Sequence, residues 1–408
     1  MIYDICIVGA GPAGLACAYA LRNRNDLKIL VIDSGKSLEE RNKDHGEDLI
    51  QGEGGAGLWS DGKFSFYPAG GPVYSVANAH PAYDQLTTLF RDYDIDIPEF
   101  PQLESVGSST SLQTEHFVQK PYPSFYLSLH DRESLIMKLS RETNAHFMYD
   151  TRMTSFHREM DGSIRVEITP RYEVYCMNLI FAGGRFGPSG GFKMPMKTYK
   201  RFEFGVRIEV PSHHVLFNGE ADDFIDPKFI HVDEQTSVEY RTFCVCRNGS
   251  VVDTKFDNMW SCSGSSEIDA GIHNVGFNLR IKSNYKDHFD FLMTVLHQLG
   301  TDEPFHHATF EDLKHVKGPF HFGDEATDLI IKGLEKLREQ FPVFASDDIR
   351  FSGPTVEGVG YYPNIDPTTL ECVFNNQIMV IGDSSGIFRG TIPALLSGLA
   401  AAQKFLIQ

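Results

Sequence analysis

No run of five or more basic residues occurs, and Asp plus Glu outnumber Lys plus Arg by 55 to 37, for a net charge of −18. That balance excludes nonspecific binding to nucleic acid or anionic membrane. No apolar stretch reaches the ~18–20 residues needed to span a bilayer. Strand-like sequence starts at Tyr3, so no signal peptide is expected. The seven cysteines (6, 17, 176, 244, 246, 262 and 372) are odd in number and scattered. They exclude a disulfide-stapled scaffold and fit a reduced, cytoplasmic protein. No Ser/His/Asp arrangement stands in a G-x-S-x-G context, and H-E-x-x-H is absent, which argues against serine-hydrolase and zinc-protease chemistry. No tandem repeat is visible.

Glycine, by contrast, is placed with purpose. Tyr3–Val8 is a short apolar run, Gly9-Ala-Gly-Pro-Ala-Gly14 follows at once, and Leu15–Leu21 reads as a helix. Strand, glycine turn and helix are the context in which G-x-G-x-x-G binds a dinucleotide. Gly9 permits the tight turn, Gly11 lets the backbone approach a pyrophosphate, and Gly14 lets helix pack on strand. Pro12 and Ala13 sit in the first helical turn, whose free N–H groups suit phosphate. A second strand, Lys28–Ile32, ends in Asp33, which can accept from a ribose hydroxyl, with Ser34 beside it. An ordinary tight turn would leave the spacing and Asp33 as coincidences.

Residues 34–75 are polar and glycine-rich. Gly52-Glu-Gly-Gly-Ala-Gly-Leu-Trp-Ser-Asp-Gly-Lys63 is too rich in glycine for a helix or central strand, so its backbone approaches something closely. Ala82–Asp92 reads as a helix and residues 93–122 as irregular. A helix is expected from His130, then strands at Phe147–Asp150, Thr154–Phe156, Ile164–Thr169 and Glu173–Phe181, the last entering Ala182-Gly-Gly184. Phe202–Val210 alternates apolar with polar residues, the pattern of a half-exposed strand. Tyr240–Val245, Gly249–Thr254 and Asn274–Ile281 extend a β-rich middle section, with helices at Phe289–Leu299 and Ala326–Gln340. Cys244-Val-Cys246 alternates on one strand; a redox pair or metal ligands are the functional readings, but no second Cys/His cluster at metal spacing supports the latter.

The C-terminal part returns to the opening theme. Asn376–Ile381 is an apolar strand, Gly382-Asp383 breaks it, and Thr391–Phe405 is a helix with Pro393 in its first turn. This arrangement suits a flavin. Asp383 can bind ribityl hydroxyls, and the helix can aim its positive end at the pyrimidine edge, an effect of about 1 kcal/mol to which Arg389 would add.

The glycine fingerprint, Phe181-Ala-Gly-Gly184 and Gly382-Asp383 together resemble FAD-dependent oxidoreductases of the glutathione-reductase-like superfamily. Gly52-Glu-Gly-Gly-Ala-Gly57, Ser60-Asp-Gly-Lys63, Phe202-Glu-Phe-Gly-Val-Arg207 and Cys244-Val-Cys246 more narrowly resemble its bacterial FAD-dependent dehydrogenase family. That family favours a Gly-Glu-Gly-Ala-Gly-Tyr type of segment near the C-terminus, where this chain has Gly382-Asp-Ser-Ser-Gly-Ile-Phe-Arg389; the departure bears on the substrate. The resemblance implies that Gly9, Gly11, Gly14 and Asp33 hold the ADP half of FAD. It places Gly54, Gly55, Ala56 and Gly57, with Ser60, Ala182, Gly183 and Gly184, near the pyrophosphate or flavin ring. Asp383, with Gly382 and the turn Gly390, Thr391 and Ile392, would hold the ribityl chain and pyrimidine. Arg41 would neutralise phosphate unless it is a surface residue, and Lys63 would sit near the reacting edge or the substrate.

Gly183–Gly187 and Gly353–Gly358 have the wrong spacing for a second dinucleotide turn. Electrons would come from the organic substrate, from transiently bound NAD(P)H or from a separate reductase. The middle section would bind substrate, through an apolar pocket containing one or two of Arg207, Arg241 and Arg280; most of its aromatics (Phe202, Phe204, Tyr240, Phe243, Trp260, Phe277) are expected to be sheet core. His130, His273 and the pairs His213-His214 and His306-His307 read as surface residues, since neighbours on a strand face opposite ways. Gly353-Pro354, Gly358-Val-Gly360 and Tyr361-Tyr-Pro363 read as a glycine-rich loop lying over the active face of the ring, and Tyr361 in it is a third catalytic candidate with Lys63 and Arg389, as acid, base or clamp.

The expected fold class is α/β. A Rossmann-like FAD domain with a parallel central sheet is built from 1–75, 120–195 and 345–408. A β-rich α+β substrate or cap domain comprises 76–119 and 196–344. The expected activity is two-electron oxidoreduction, of dehydrogenase or oxidase type, on a small organic molecule, aromatic or carboxylate-bearing. The alternatives are a single- or two-component flavin monooxygenase and, from another class, a nonenzymatic nucleotide-binding sensor.

Overall fold

A computed structural model describes residues 2–103, 116–170, 172–189, 196–217, 224–267, 270–299, 303–314 and 322–406. Two eight-stranded sheets organise them. In the first, five parallel strands run in the order Asn375–Val380, Tyr172–Phe181, Ile2–Val8, Ile29–Ile32, His146–Met148. Ile5 and Ile7 point into a core built with the helices, while Cys6 and Val8 point into a second core on the other face. Strands buried on both faces read as unbroken apolar runs, as these do. The antiparallel strands Met153–Arg158 and Ile164–Ile168 extend this sheet from Tyr172–Phe181.

Helix Pro12–Ala20 is short and alanine-rich, and lies between the sheet and the helix Thr391–Leu406. Its close approach depends on two missing side chains. A Cβ at Gly14 would lie 1.9 Å from the Gly9 carbonyl oxygen, and one at Gly398 would lie 2.1 Å from that of Ala13. Gly9 itself has φ +112° and no room for a Cβ beside Ala182. The expected roles of Gly9 and Gly14 as turn and packing residues are therefore physical necessities here.

The second sheet is antiparallel, in the order Phe305–Ala308, Arg350–Pro363, Lys197–Pro211, Ile272–Ile281, Glu239–Phe256, Phe229–Val232, Val118–Gln119, with Met259–Ser265 paired to Glu239–Phe256. One face packs beneath helices His288–Leu299 and Asp324–Gln340 through Phe202, Phe204, Tyr240, Phe277 and their neighbours. The tandem strands expected at 240–245 and 249–254 are one strand, interrupted by register shifts between Phe243 and Gly249.

Several sequence expectations need correction. Residues 353–363 were expected to loop over the ring, but they form strand Arg350–Pro363 of the second sheet, within the 345–408 segment. Helix Ala79–Arg91 begins three residues earlier than expected and packs with the first-sheet helices. Of 93–122, residues 104–115 lie outside the described residues, and Val118–Gln119 is strand. Phe202–Val210 is not half-exposed: both its faces are buried. Of its polar residues Arg207 lines a cavity, while Glu203 and Glu209 are buried against their own partners, arginines for Glu203 and Ser352 for Glu209.

Candidate cofactor and active site

A single cavity of about 870 Å³ lies between the two sheets, near the upper end of the usual size for ligand sites. One end is backbone-built. It is lined by Gly9, Gly11, Pro12, Ala13, Asp33, Ser34, Gly55, Ala56, Gly57 and Ser60. Ala182, Gly183, Gly184, Gly382, Asp383, Gly390 and Thr391 carry the lining toward the centre.

Local bonding explains why these segments converge. Asp33 Oδ2 accepts from the Ala10 N–H at 2.7 Å, while Oδ1 accepts from Gly35 and Gly52, each at 2.8 Å. One carboxylate thus ties the glycine turn, the end of the second strand and the 52–57 loop together. Expected mainly as a ribose acceptor, it is first a structural clamp, and Oδ2 retains a free lone pair. The Gly54 N–H donates to Ala10 O at 2.8 Å, and a Cβ at Gly55 would lie 3.1 Å from Gly11 Cα. The two glycine-rich segments therefore lie back to back.

Five expected site residues lie outside the cavity lining. Arg41 is not a surface group and does not line the cavity. It is buried, donates to the carbonyls of Asp48 (2.9 Å) and Gly55 (3.1 Å) and to that of Glu53, and stacks on Trp59. Burial pushes its guanidinium down to about 10. Its role is to brace the 52–57 loop from behind. Gly54 faces Ile136 and Arg41, Ile392 is fully buried in the helical core, and Gly14 serves packing. Tyr361, expected over the ring, instead packs edge-on against Tyr199 and Phe289. Its neighbour Tyr362 is fully buried and accepts from the Val359 N–H at 2.9 Å.

The other end of the cavity is built from charge. Fully buried Glu203 accepts from Arg241 at 3.1 Å and Arg201 at 3.4 Å, and from Arg280 and Arg389 at closer range. Burial alone would raise its carboxyl, but Arg280, Arg201, Arg389 and Arg241 outweigh it and hold the group well below the usual carboxylate range. Glu357 pairs with Arg185 at 2.9 Å and with Arg389. Arg389 is thus expected at the helix entrance and found there, but neutralised by two carboxylates. Asp383 pairs with Arg201 at 2.9 Å, and burial raises its carboxyl despite that partner. Lys120 and Lys228 also line this end. Among the described residues neither has a carboxylate at ion-pair distance, and burial, then the arginines, push both ammonium groups down.

Lys63 lines the cavity too. Its ammonium lies 3.2 Å from both Asp61 and Asp226 and donates to the carbonyl of Val245. Burial opposes that charge, but the two carboxylates more than restore it, raising the group above its usual value. A permanently protonated lysine is an anchor or an electrostatic group, not a base.

Sequence reasoning missed Glu203, Glu357, Arg185, Arg201 and Lys228 as site residues. For Arg201 and Glu203 the signal was the alternation itself. In strand Lys197–Pro211 the polar set Arg201, Glu203, Arg207 and Glu209 is as buried as the apolar set Phe202, Phe204, Val206 and Ile208. His213 is exposed and His214 partly so, as expected of surface residues, but they occupy a turn, not a strand, and both approach Asp348, at 3.7 and 2.9 Å.

A family model described as an NAD(P)-binding Rossmann-like domain matches residues 7–41, the first strand through the loop after the second. No curated protein matches the chain. Among solved structures, the chain is similar to NikD, an unusual amino acid oxidase essential for nikkomycin biosynthesis, at 12% identity over 98% of this chain and 93% of that one (TM-score 0.48). It is also similar to aklavinone-11 hydroxylase in ternary complex with FAD and aklavinone, at 12% identity over 99% and 62% of the chains (TM-score 0.42). For OxyS anhydrotetracycline hydroxylase from Streptomyces rimosus, the values are 14% identity over 94% and 57% (TM-score 0.37). Among the described residues no helix is long and apolar enough to cross a membrane.

Proposed function

We propose that the protein is an FAD-dependent oxidoreductase of dehydrogenase or oxidase type, acting on a small organic molecule that is aromatic or carboxylate-bearing. One observation carries this reading: a single cavity runs without interruption from the glycine turn to the charged end. A dinucleotide cofactor needs the first end and an acidic substrate suits the second. The residues fit FAD. A side chain at Gly11 would meet only Gly55, at 3.8 Å, so the cradle is open there, and the buried Nε atoms of Arg185 and Arg201, beside Asp383, lack hydrogen-bond partners among the described residues.

In this reading the Gly11–Ala13 turn and Gly55–Gly57 face the pyrophosphate, Asp33 the ribose, and Asp383, Gly390 and Thr391 the ribityl and ring end. Bound there, FAD would supply two-electron redox chemistry. The chain's own part is to position and to screen. Phe243 offers an apolar wall, Lys120 and Lys228 attract a carboxylate, and burial of the charged end strengthens that attraction. NAD(P)H as a transient donor, or a separate reductase, remains part of the proposal for the electron source.

Reconstitution with FAD tests the reading. A yellow complex that an organic acid reduces without oxygen is the expected result. Purified protein that is colourless and does not take up FAD would overturn it. Incorporation of label from ¹⁸O₂ into product would assign the chain to the monooxygenases instead.

A further inference from the structure

Cys244 and Cys246 lie where strand Glu239–Phe256 loses register with its neighbour. Residues two apart on a regular strand share a face but stay separated; a bulge compresses them. Here Cys244 has φ +49°, and the two sulfurs are 4.0 Å apart. Cys244 lines the cavity, and Cys246 lies behind it, 1% exposed. The intervening Val245 is held from both sides: its N–H donates to Asp226 at 2.9 Å, and its carbonyl accepts from Lys63.

The surroundings favour a thiolate over a metal. Arg207, 1% exposed, donates to Cys244 O at 2.8 Å and lies 3.8 Å from Cys246 Sγ; it also donates to Asn274, and among the described residues none of its hydrogen bonds goes to a carboxylate. Gly264 makes room for that guanidinium, since a Cβ there would lie 2.3 Å from Nη2. A buried cation without a carboxylate is costly unless another anion is present. Asp61 completes a three-donor group with the two sulfurs, but Lys63 and Arg207 both oppose a cation at that point. The hydrogen bond from Cys244, with Lys63 and Arg207, draws the Cys246 thiol down to about 7 against burial, while Cys244 is raised. The remaining cysteines 6, 17, 176, 262 and 372 are buried, and none lines the cavity.

We propose that Cys244 and Cys246 are a redox-active dithiol on the cavity wall, which closes to a disulfide by exchange with a small disulfide-bearing molecule. Cys244, facing the cavity, passes its proton to Cys246 and attacks one sulfur of the incoming disulfide. A mixed disulfide forms and one thiolate leaves, taking up the proton from Cys246. The Cys246 thiolate then attacks Cys244 Sγ and releases the second thiolate. The pair loses two electrons, and the incoming disulfide gains them as two thiols.

The experiment is intact-mass analysis and thiol alkylation of the full chain, first reduced and then equilibrated with glutathione disulfide. The expected result is loss of two alkylatable thiols of the seven, a mass decrease of about 2 Da for one disulfide, and a cross-link mapped to 244 and 246. Cys246→Ser should trap one glutathione on Cys244, and Cys244→Ser should take up none at this site. Seven alkylatable thiols in the oxidised wild type, a cross-link elsewhere, or protection of the pair by added Zn²⁺ without disulfide formation would each overturn the proposal. The readout is thiol state alone, so its failure and the failure of the FAD reading are separate results.

Discussion

The two ends of the cavity are made by opposite means. At the first end the wall is backbone: glycines remove side chains, and Asp33 spends most of its acceptor capacity on three amides. At the second end the wall is side chain: five arginines and two lysines gather around Glu203, Glu357 and Asp383. A backbone wall fits a ligand by shape and tolerates no added volume. A charged wall fits by balance and tolerates no lost partner. The two ends should therefore fail differently under mutation.

The largest effect is expected at the charged end. Glu203→Leu leaves four arginines facing one another in a buried space, and unpaired buried charge costs about 3–5 kcal/mol. Urea denaturation should show that loss; a change below about 1 kcal/mol would mean that solvent screens the cluster. Acid should reach the same network in the wild type. Glu203 and Glu239 have folded pKa values below their ordinary ones, Glu239 at about 2, because burial is outweighed by Arg280 with Arg201 and Arg241 respectively. Their stabilisation is full above the unfolded value of about 4.3 and is lost as pH falls through the folded values. Melting temperature should thus drop between about pH 4.5 and pH 2, less steeply in Glu239→Gln.

At the backbone end, Gly11→Val should leave folding nearly intact, because its Cβ meets only Gly55 Cα, at an ordinary contact distance of 3.8 Å, yet weaken FAD binding at least about 100-fold, near 2.7 kcal/mol. Flavin fluorescence titration separates that from a folding defect. Asp383→Ala removes a partner of Arg201 and the proposed ribityl acceptor together; about a tenfold loss of FAD affinity is expected, and unchanged affinity would remove this residue from the proposed site. The smallest effect belongs to Tyr361→Phe. Outside the cavity and packed on Tyr199, its hydroxyl should alter turnover by less than about twofold.

The comparison also explains what the sequence could disclose. The backbone end was legible because glycine requirements are local: Gly9, Gly14 and the 52–57 run announce a turn, a close helix and a near approach without knowledge of the rest of the chain. The charged end was not, because its members come from four strands and several loops whose register decides who meets whom. Glu203 looks like a solvent-facing residue of an alternating strand until another layer covers that face. Arg41 and Tyr361 misled for a related reason. Residue type and distance along the chain suggested a ligand, whereas Arg41 found carbonyls to satisfy and Tyr361 an aromatic neighbour on the outer side. Pro354 and the glycines at 353, 358 and 360 read as a loop although they occupy an interior strand; two-sided burial rewards small residues there.

Neither sheet is one continuous stretch of chain. Strand Asn375–Val380 completes the parallel layer begun by Ile2–Val8, and helix Thr391–Leu406 seals the helix that follows the opening turn. During synthesis, the fragment that carries the nucleotide fingerprint must wait for residues some four hundred positions later before its pocket has a floor. A nascent chain halted before residue 391 should hold no cofactor, however well its first strands have paired.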